Sequence, residues 1–153
     1  MPRLNVRKTY KLYINGEFPR TESGRSYAVR GEGGELLANA SRGSRKDLRN
    51  AVVAARKAVG GWSGKTAYNR GQILYRIAEV CESRAGELVD ALRRHGSSAG
   101  EAKNEVEQTI DRWVYYAGWS DKYPQVFGSV NPVAGPYYNF TVPEPTGVVG
   151  VVA

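Results

Sequence analysis

The chain has 153 residues, enough for one domain that buries about 68–70% of the surface its unfolded form exposes. Its hydrophobic content of 41% and charged content of 24% are ordinary for a globular protein and exclude an intrinsically disordered chain. One cysteine and one histidine exclude a disulfide framework and a structural zinc site.

The formal net charge of +7 permits a nucleic-acid partner. The 22 Lys and Arg residues are scattered, however, and the densest group is only Arg3, Arg7, Lys8 and Lys11. We therefore expect a solvated basic surface, with neither nucleic acid nor a membrane as partner. The amino-terminal region contains no signal-peptide core, and no apolar run approaches the ~18 residues of a membrane span. These features predict a cytoplasmic protein.

Three short strand candidates come first along the chain. Residues 11–18 alternate around an Asn15-Gly16 turn signal, which is typical of a β-hairpin. Residues 26–30 and 36–40 are two further candidates, separated by a glycine-rich turn at residues 31–34. Together they predict a small sheet before the first helix.

Three or four helices are predicted next. Ser44 and Asp47 form an acidic variant of the capping box, and the helix that follows should end at Gly60-Gly61. Thr66 opens a second helix that should end at Gly96, with Gly86 as a candidate break. Ser98 and Glu101 form the clearest capping box, and this third helix should run to about residue 123 and be closed by Pro124.

The carboxyl-terminal third changes character. The short aromatic and alternating segments 126–130 and 137–142 predict an exposed β-arm. Residues 147–152 contain four valines and no polar side chain, which is typical of a strand covered on both faces in a parallel sheet. Such a sheet needs several strands, and ligands bind beyond their carboxyl ends. We therefore expect this chain to be the first part of a longer α/β protein.

Isolated catalytic residue types occur, but they do not form a catalytic set. The segment GSSAG at residues 96–100 matches the nucleophile elbow, yet a helix should precede it and His95 is its immediate neighbour, so Ser98 is better explained as a helix cap. Cys81 lies on an apolar helix stripe and is better explained as a small core residue. His95 suits the negative end of a helix.

Two further motifs favour structural explanations. The acidic residues of the third helix have no histidine nearby and indicate a solvated face rather than a metal site (Glu101, Glu105, Glu107 and Asp111). Gly147 and Gly150 lack the G-x-G-x-x-G order of a dinucleotide loop and indicate close backbone packing. From the residues alone we predict no catalytic and no metal-binding residue in this chain.

Taken together, five segments resemble the NAD(P)-dependent aldehyde dehydrogenases over about residues 11–153. They are LYINGEF (12–18), AVVAARKAVGGW (51–62), NRGQILYRIAEV (69–80), YYAGWSDKY (115–123) and EPTGVVGVVA (144–153). The resemblance implies that residues 1–128 are the N-terminal part of an NAD(P)-binding domain. It also implies that residues 129–146 are an oligomerisation arm and that residues 147–153 are the first strand of the dinucleotide-binding sheet.

The resemblance also implies a chemistry. In the family a cysteine thiolate attacks an aldehyde, hydride passes to NAD or NADP, and the acyl-enzyme is hydrolysed. The cysteine, the water-activating glutamate, the oxyanion-hole asparagine and the cofactor-gripping lysine would all lie beyond Ala153, and Cys81 does not match the nucleophile. Only Val152 and Ala153 match cofactor-lining positions, so residues 1–153 alone should bind the cofactor poorly and be inactive.

Three departures from the family pattern suggest a divergent branch. Arg30-Gly31 replaces an Asn-Pro, residues 95–98 replace a Thr-Gly-Lys-Pro, and Pro143 stands where a basic residue is common. Some divergent members lack the cysteine and act as partner subunits. The alternative to an active dehydrogenase is therefore an inactive subunit that forms a homo-oligomer, or pairs with a related subunit, through the arm. With its sheet edge and apolar faces uncovered, this chain should self-associate.

Overall fold

The structure is a computed structural model that describes residues 8–152. Three short strands come first, then four helices and a short fifth, and finally a two-stranded hairpin. Their bounds in chain order are β1 Thr9–Tyr10, β2 Ser26–Arg30, β3 Leu36–Ser41, α1 Arg45–Ser63, α2 Ala67–Ser83, α3 Ala85–Arg94, α4 Ala99–Trp119, α5 Tyr123–Val126, β4 Val130–Asn131 and β5 Asn139–Phe140.

A small sheet is present, with strand order β1-β3-β2, but only two of its predicted strands belong to it: its third strand is Thr9–Tyr10 rather than residues 11–18. β2 and β3 pair antiparallel, as expected for strands joined by a tight turn, and β1 lies parallel to β3. The Asn15-Gly16 turn forms with φ of 57° and 78°, a conformation that these two residues tolerate better than most. Ile14 and Glu17 exchange two backbone hydrogen bonds across it, and the Leu12 N–H donates to the Pro19 carbonyl at 3.1 Å, so the predicted hairpin forms as a short one.

Helix α1 begins as predicted and ends later than predicted. Both halves of the Ser44–Asp47 capping box are present. The helix runs through Gly60 and Gly61 to Ser63, and Gly64 is its C-cap. Glycine weakens a helix interior by only about 1 kcal/mol, so the pair does not have to end it.

The second predicted helix is two helices, but the break lies at Arg84 rather than at Gly86. The φ and ψ of Arg84, −116° and 16°, leave the helical region, and its N–H bonds back to the last turn of α2. Gly86 lies inside the first turn of α3. Gly96 follows the end of α3 with φ of 103°, which explains why a glycine occupies it.

Helix α4 has the predicted capping box but ends at Trp119, four residues before Tyr123. Pro124 does not close it and instead lies in the first turn of α5. Proline lacks an N–H and is well tolerated in a first turn, where that donor has no helical partner. A proline therefore marks a new start here.

Small residues let α2 and α4 approach closely. A Cβ on Gly71 would lie 3.0 Å from the Ala117 carbonyl oxygen, so only glycine fits there without a shift. Ala102 is completely buried, and Ala78 and Val106 are nearly so. This helix pair forms the centre of a small core, while many large apolar side chains remain exposed.

The two carboxyl-terminal predictions have different outcomes. β4 and β5 pair antiparallel, so the β-structure predicted for the arm is present, in the form of a hairpin. The strand expected at residues 147–153 does not form over residues 147–152, and Ala153 lies outside the described residues. Strands are stabilised by hydrogen bonds to a neighbouring strand, and no described residue offers one to this segment.

Candidate functional site

The arm, residues 129–146, is held by a few local hydrogen bonds. The Thr141 N–H donates to the Ser129 carbonyl at 2.7 Å. The Asn131 side-chain amide donates to the Asn139 Oδ1 and the Thr141 Oγ1, each at 3.0 Å. These bonds fix the register of a hairpin whose aromatic side chains stay outside, since Tyr137 and Tyr138 are 76% and 75% exposed. The arm therefore presents aromatic surface to solvent.

An apolar cavity of about 490 Å³ lies where the arm meets the helices. Its wall includes Arg70 of α2, Tyr123 and Phe127 around α5, and Phe140 of the arm. The rings of Tyr123 and Phe127 are 4.9 Å apart, and Trp119 lies 6.4 Å from Phe127. The base of the arm thus rests beside an aromatic cluster at the carboxyl end of α4.

The predicted cofactor residues do not form a site by themselves. Val152 is fully exposed, and Ala153 lies outside the described residues. A dinucleotide is held where a strand leads through a tight turn into a helix whose N–H groups face the phosphates. Residues 143–152 contain neither a strand nor a helix. The described residues therefore do not fit the cofactor, and the roles of Val152 and Ala153 remain predictions.

The isolated catalytic residue types stay apart, as the sequence indicated. Cys81 is half-buried on α2, and exposed His95 is the C-cap of α3. Ser98 caps α4: its hydroxyl accepts from the Glu101 N–H at 3.3 Å, and its own N–H donates to the Glu101 carboxylate at 3.0 Å. These bonds hold the pKa of Glu101 below its usual value. The side chains of Cys81, His95 and Ser98 make no hydrogen bond to one another among the described residues.

The acidic face of α4 is solvated. Glu107 pairs with Lys103 at 3.6 Å, and both side chains are largely exposed. Within residues 8–152, no group of three potential metal ligands comes together. No helix in the same range is long and apolar enough to cross a membrane.

A buried carboxylate, that of Asp47, joins the loop of residues 20–25 to the start of α1. The sequence predicted its contact with Ser44 but not its contact with Thr21. The Asp47 carboxylate accepts from the Thr21 hydroxyl at 2.6 Å, from the Ser44 N–H at 2.8 Å and from the Glu22 N–H at 3.1 Å. The Thr21 hydroxyl also lies 3.1 Å from the Arg42 carbonyl. We call Thr21, Ser44 and Asp47 the latch. No local pattern indicates Thr21, because it lies 26 residues from Asp47.

The latch changes the acidity of its carboxyl group. Chiefly through the Thr21 hydroxyl and then the Ser44 N–H, the pKa of Asp47 falls from the ordinary 3.8 to about 2. Hydrogen bonds to a carboxylate favour its charged form, and here they outweigh the opposing effect of burial. Asp47 is therefore a structural anion that fixes the loop of residues 20–25 against the start of α1.

Comparison with known proteins identifies the family. A profile of the aldehyde dehydrogenase family matches residues 21–153. The mitochondrial benzaldehyde dehydrogenase of Antirrhinum majus is 36% identical over 145 residues, covering 92% of this chain and 27% of that protein. The chain thus spans about a quarter of that relative's length.

Solved structures agree. The NAD-dependent aldehyde dehydrogenase from Sinorhizobium meliloti is 28% identical with a TM-score of 0.70, over 77% of this chain and 24% of that one. PnpE from Pseudomonas sp. WBC-3, in complex with nicotinamide adenine dinucleotide, is 27% identical with a TM-score of 0.78, over 86% of this chain and 27% of that one. Because sequence and fold agree over most of its length, the chain belongs to the aldehyde dehydrogenase family and has the α/β fold of that family's N-terminal part.

Proposed function

We propose that this chain is the N-terminal portion of an NAD(P)-dependent dehydrogenase that oxidises an aldehyde to the acid. The observation that carries the proposal is the family match over residues 21–153, supported by structural similarity to about a quarter of each full-length enzyme. The nucleophilic cysteine and the glutamate that activates water would lie beyond Ala153. Residues 1–153 would then be a scaffold, with no aldehyde oxidation of their own.

The proposed reaction balances as one aldehyde, one NAD(P)⁺ and one water giving one carboxylate, one NAD(P)H and two protons. The cysteine thiolate adds to the carbonyl carbon, hydride leaves that carbon for the cofactor, and water then cleaves the thioester and releases the thiol. The cofactor supplies the hydride acceptor. None of these bonds is made or broken by a residue between 8 and 152.

In this proposal each part of the chain has a supporting role. Residues 1–128 would form the N-terminal part of the NAD(P)-binding domain. The arm would extend the sheet of a second subunit, which its exposed backbone edge and aromatic side chains support. Residues 147–153 would become the first strand of the cofactor sheet once neighbouring strands are present, and Val152 and Ala153 would line the cofactor.

The test compares the full-length polypeptide with residues 1–153 alone. Both are incubated with benzaldehyde and short aliphatic aldehydes, with NAD and with NADP, and reduced cofactor is followed by absorbance. We expect turnover from the full-length protein only. Aldehyde-dependent reduction by the pure 1–153 chain would overturn the proposal that catalysis lies downstream.

The second candidate is a catalytically inactive subunit that assembles through the arm. It is favoured by the departures at Arg30-Gly31 and at residues 95–98. The arm also forms its hairpin within this chain, as an assembly role requires. Sequencing the reading frame past Ala153 separates the two. A frame without the cysteine, and a full-length protein that forms oligomers but reduces no cofactor, would favour the inactive subunit.

A further inference from the structure

A basic cleft of about 400 Å³ lies at one edge of the first sheet. β1 and β3 run parallel and both end at this edge, while β2, antiparallel to β3, begins there. The loop between Pro19 and Ser26 covers the same edge. The cleft is lined by Thr9, Lys11, Arg20, Thr21, Gly24, Arg25, Ser26 and Ser41.

The charges of the cleft have one sign. Three of the lining side chains are cations, and none is a carboxylate. Among the described residues, Lys11, Arg20 and Arg25 make no ion pair. Two nearby carboxylates are engaged elsewhere, since Glu22 pairs with Lys46 at 3.8 Å and Asp47 accepts the bonds of the latch. A concave surface lined by one sign of charge concentrates the opposite charge.

The hydroxyl groups of the cleft complement these cations. Ser41 donates to the Tyr10 carbonyl at 2.8 Å, and Thr21 belongs to the latch. The hydroxyls of Thr9 and Ser26 have no hydrogen-bond partner among the described residues and are free to donate. Guanidinium forks and hydroxyl donors are the groups that bind phosphate oxygens in proteins.

The latch holds the loop that lines the cleft in one conformation. Thr21 to Gly24 form a tight turn, closed by a 3.1 Å bond from the Gly24 N–H to the Thr21 carbonyl. Gly24 has φ of 66°, which favours glycine at this position. Because Asp47 holds Thr21 in place, the backbone positions of Arg20 and Arg25, on either side of the turn, are fixed as well. A ligand would not have to order this loop on binding.

We propose that this cleft is a binding site for a small phosphorylated molecule. Its volume falls within the range of small-molecule sites, about 300–1,000 Å³. Cations in surplus and unpaired hydroxyls suit an oligophosphate better than a neutral sugar or an aldehyde. The residues that line the cleft all lie between Thr9 and Ser41, far along the chain from Val152 and Ala153, and the proposal does not depend on the proposed dehydrogenase activity.

The test uses the full-length protein and inorganic tripolyphosphate as the probe, by titration calorimetry in dilute buffer free of phosphate. The cleft variant replaces three cations by glutamine, at Lys11, Arg20 and Arg25. The control removes the same three charges from exposed positions of α1, at Arg49, Arg56 and Lys57. We expect one site per chain, and a loss of affinity of at least about tenfold in the cleft variant, because the loss of even one charge-assisted hydrogen bond has about that effect.

A second variant, Thr9→Val with Ser26→Ala, keeps the charge and removes only the two free hydroxyls. We expect it to weaken binding by a smaller factor than the loss of the cations does. Circular dichroism checks that each variant is folded. No binding by the native protein, or an equal loss in the cleft variant and the α1 control, would overturn the proposal. Tighter binding of a short oligonucleotide through the same cations would overturn it in favour of a nucleic-acid site.

Discussion

The body of this chain, from β1 to α4, and its arm are held together in different ways. In the body, α2 and α4 meet through small buried residues, and the latch joins segments that lie 26 residues apart. In the arm, two strands of two residues each pair with each other and leave their aromatic side chains exposed. The body is therefore stabilised by contacts within this chain, whereas the surface of the arm is free to contact another molecule.

The largest effect should come from overfilling the helix contact in the body. Ala102 is completely buried, with 0% of its surface accessible, so the leucine side chain of Ala102→Leu has no space to enter. We expect a loss of about 1–3 kcal/mol in the free energy of unfolding, as for other overpacked cores. Ala99→Leu, at the exposed first position of the same helix, should change it by less than about 0.5 kcal/mol. Urea denaturation measures both, and equal losses would contradict this account of the core.

The next effect concerns the latch. Thr21→Val keeps the shape of a buried side chain but removes the hydroxyl that donates to Asp47 at 2.6 Å. We expect a loss of about 2 kcal/mol, because a buried acceptor loses its partner. Thr109→Val is the matched control, since that hydroxyl bonds only to the Glu105 carbonyl of its own helix. If thermal unfolding shows the two variants to be equally stable, the latch contributes little.

The sequence predicts the local parts of this body well and the distant ones poorly. Both capping boxes join residues three apart, so Ser44–Asp47 and Ser98–Glu101 could be read directly from the chain. The predictions that a helix ends at Gly60-Gly61 and that another is closed by Pro124 are wrong, because glycine and proline are each compatible with more than one position in a helix. The bond from Thr21 to Asp47 has no local signal at all.

The strand expected at residues 147–153 shows a different limit. Its composition indicates a buried strand, but a strand also requires a hydrogen-bonded neighbour, and the described residues provide none. The same limit applies to the candidate cofactor site. The sequence identified Val152 and Ala153 only through resemblance to a family, and the groups that would complete their environment are not among these residues.

The stability of the protein should depend on pH through Asp47 of the latch. The pKa of Asp47 is lowered from 3.8 to about 2, so its stabilising contribution is complete above pH 3.8 and is lost as the pH falls through 2. We expect the urea midpoint to fall over this interval, and to fall less steeply in Asp47→Asn. A residual slope should remain, because hydrogen bonds also lower the pKa of Glu87 and of Glu101. Identical pH profiles for the two proteins would contradict the role of Asp47.

The smallest effect on stability should come from substitutions in the arm. Tyr138 and Phe140 contact each other at 5.4 Å and are largely exposed, so replacing both by serine removes little packing within the chain. We expect the free energy of unfolding to change by less than about 0.5 kcal/mol. Self-association of the 1–153 chain, measured by light scattering, should nevertheless weaken, because these rings would be the contact surface. Tyr68→Ser, an exposed tyrosine on α2, should leave association unchanged. If the arm variant associates as the native chain does, the exposed faces of the body, and not the arm, hold the copies together.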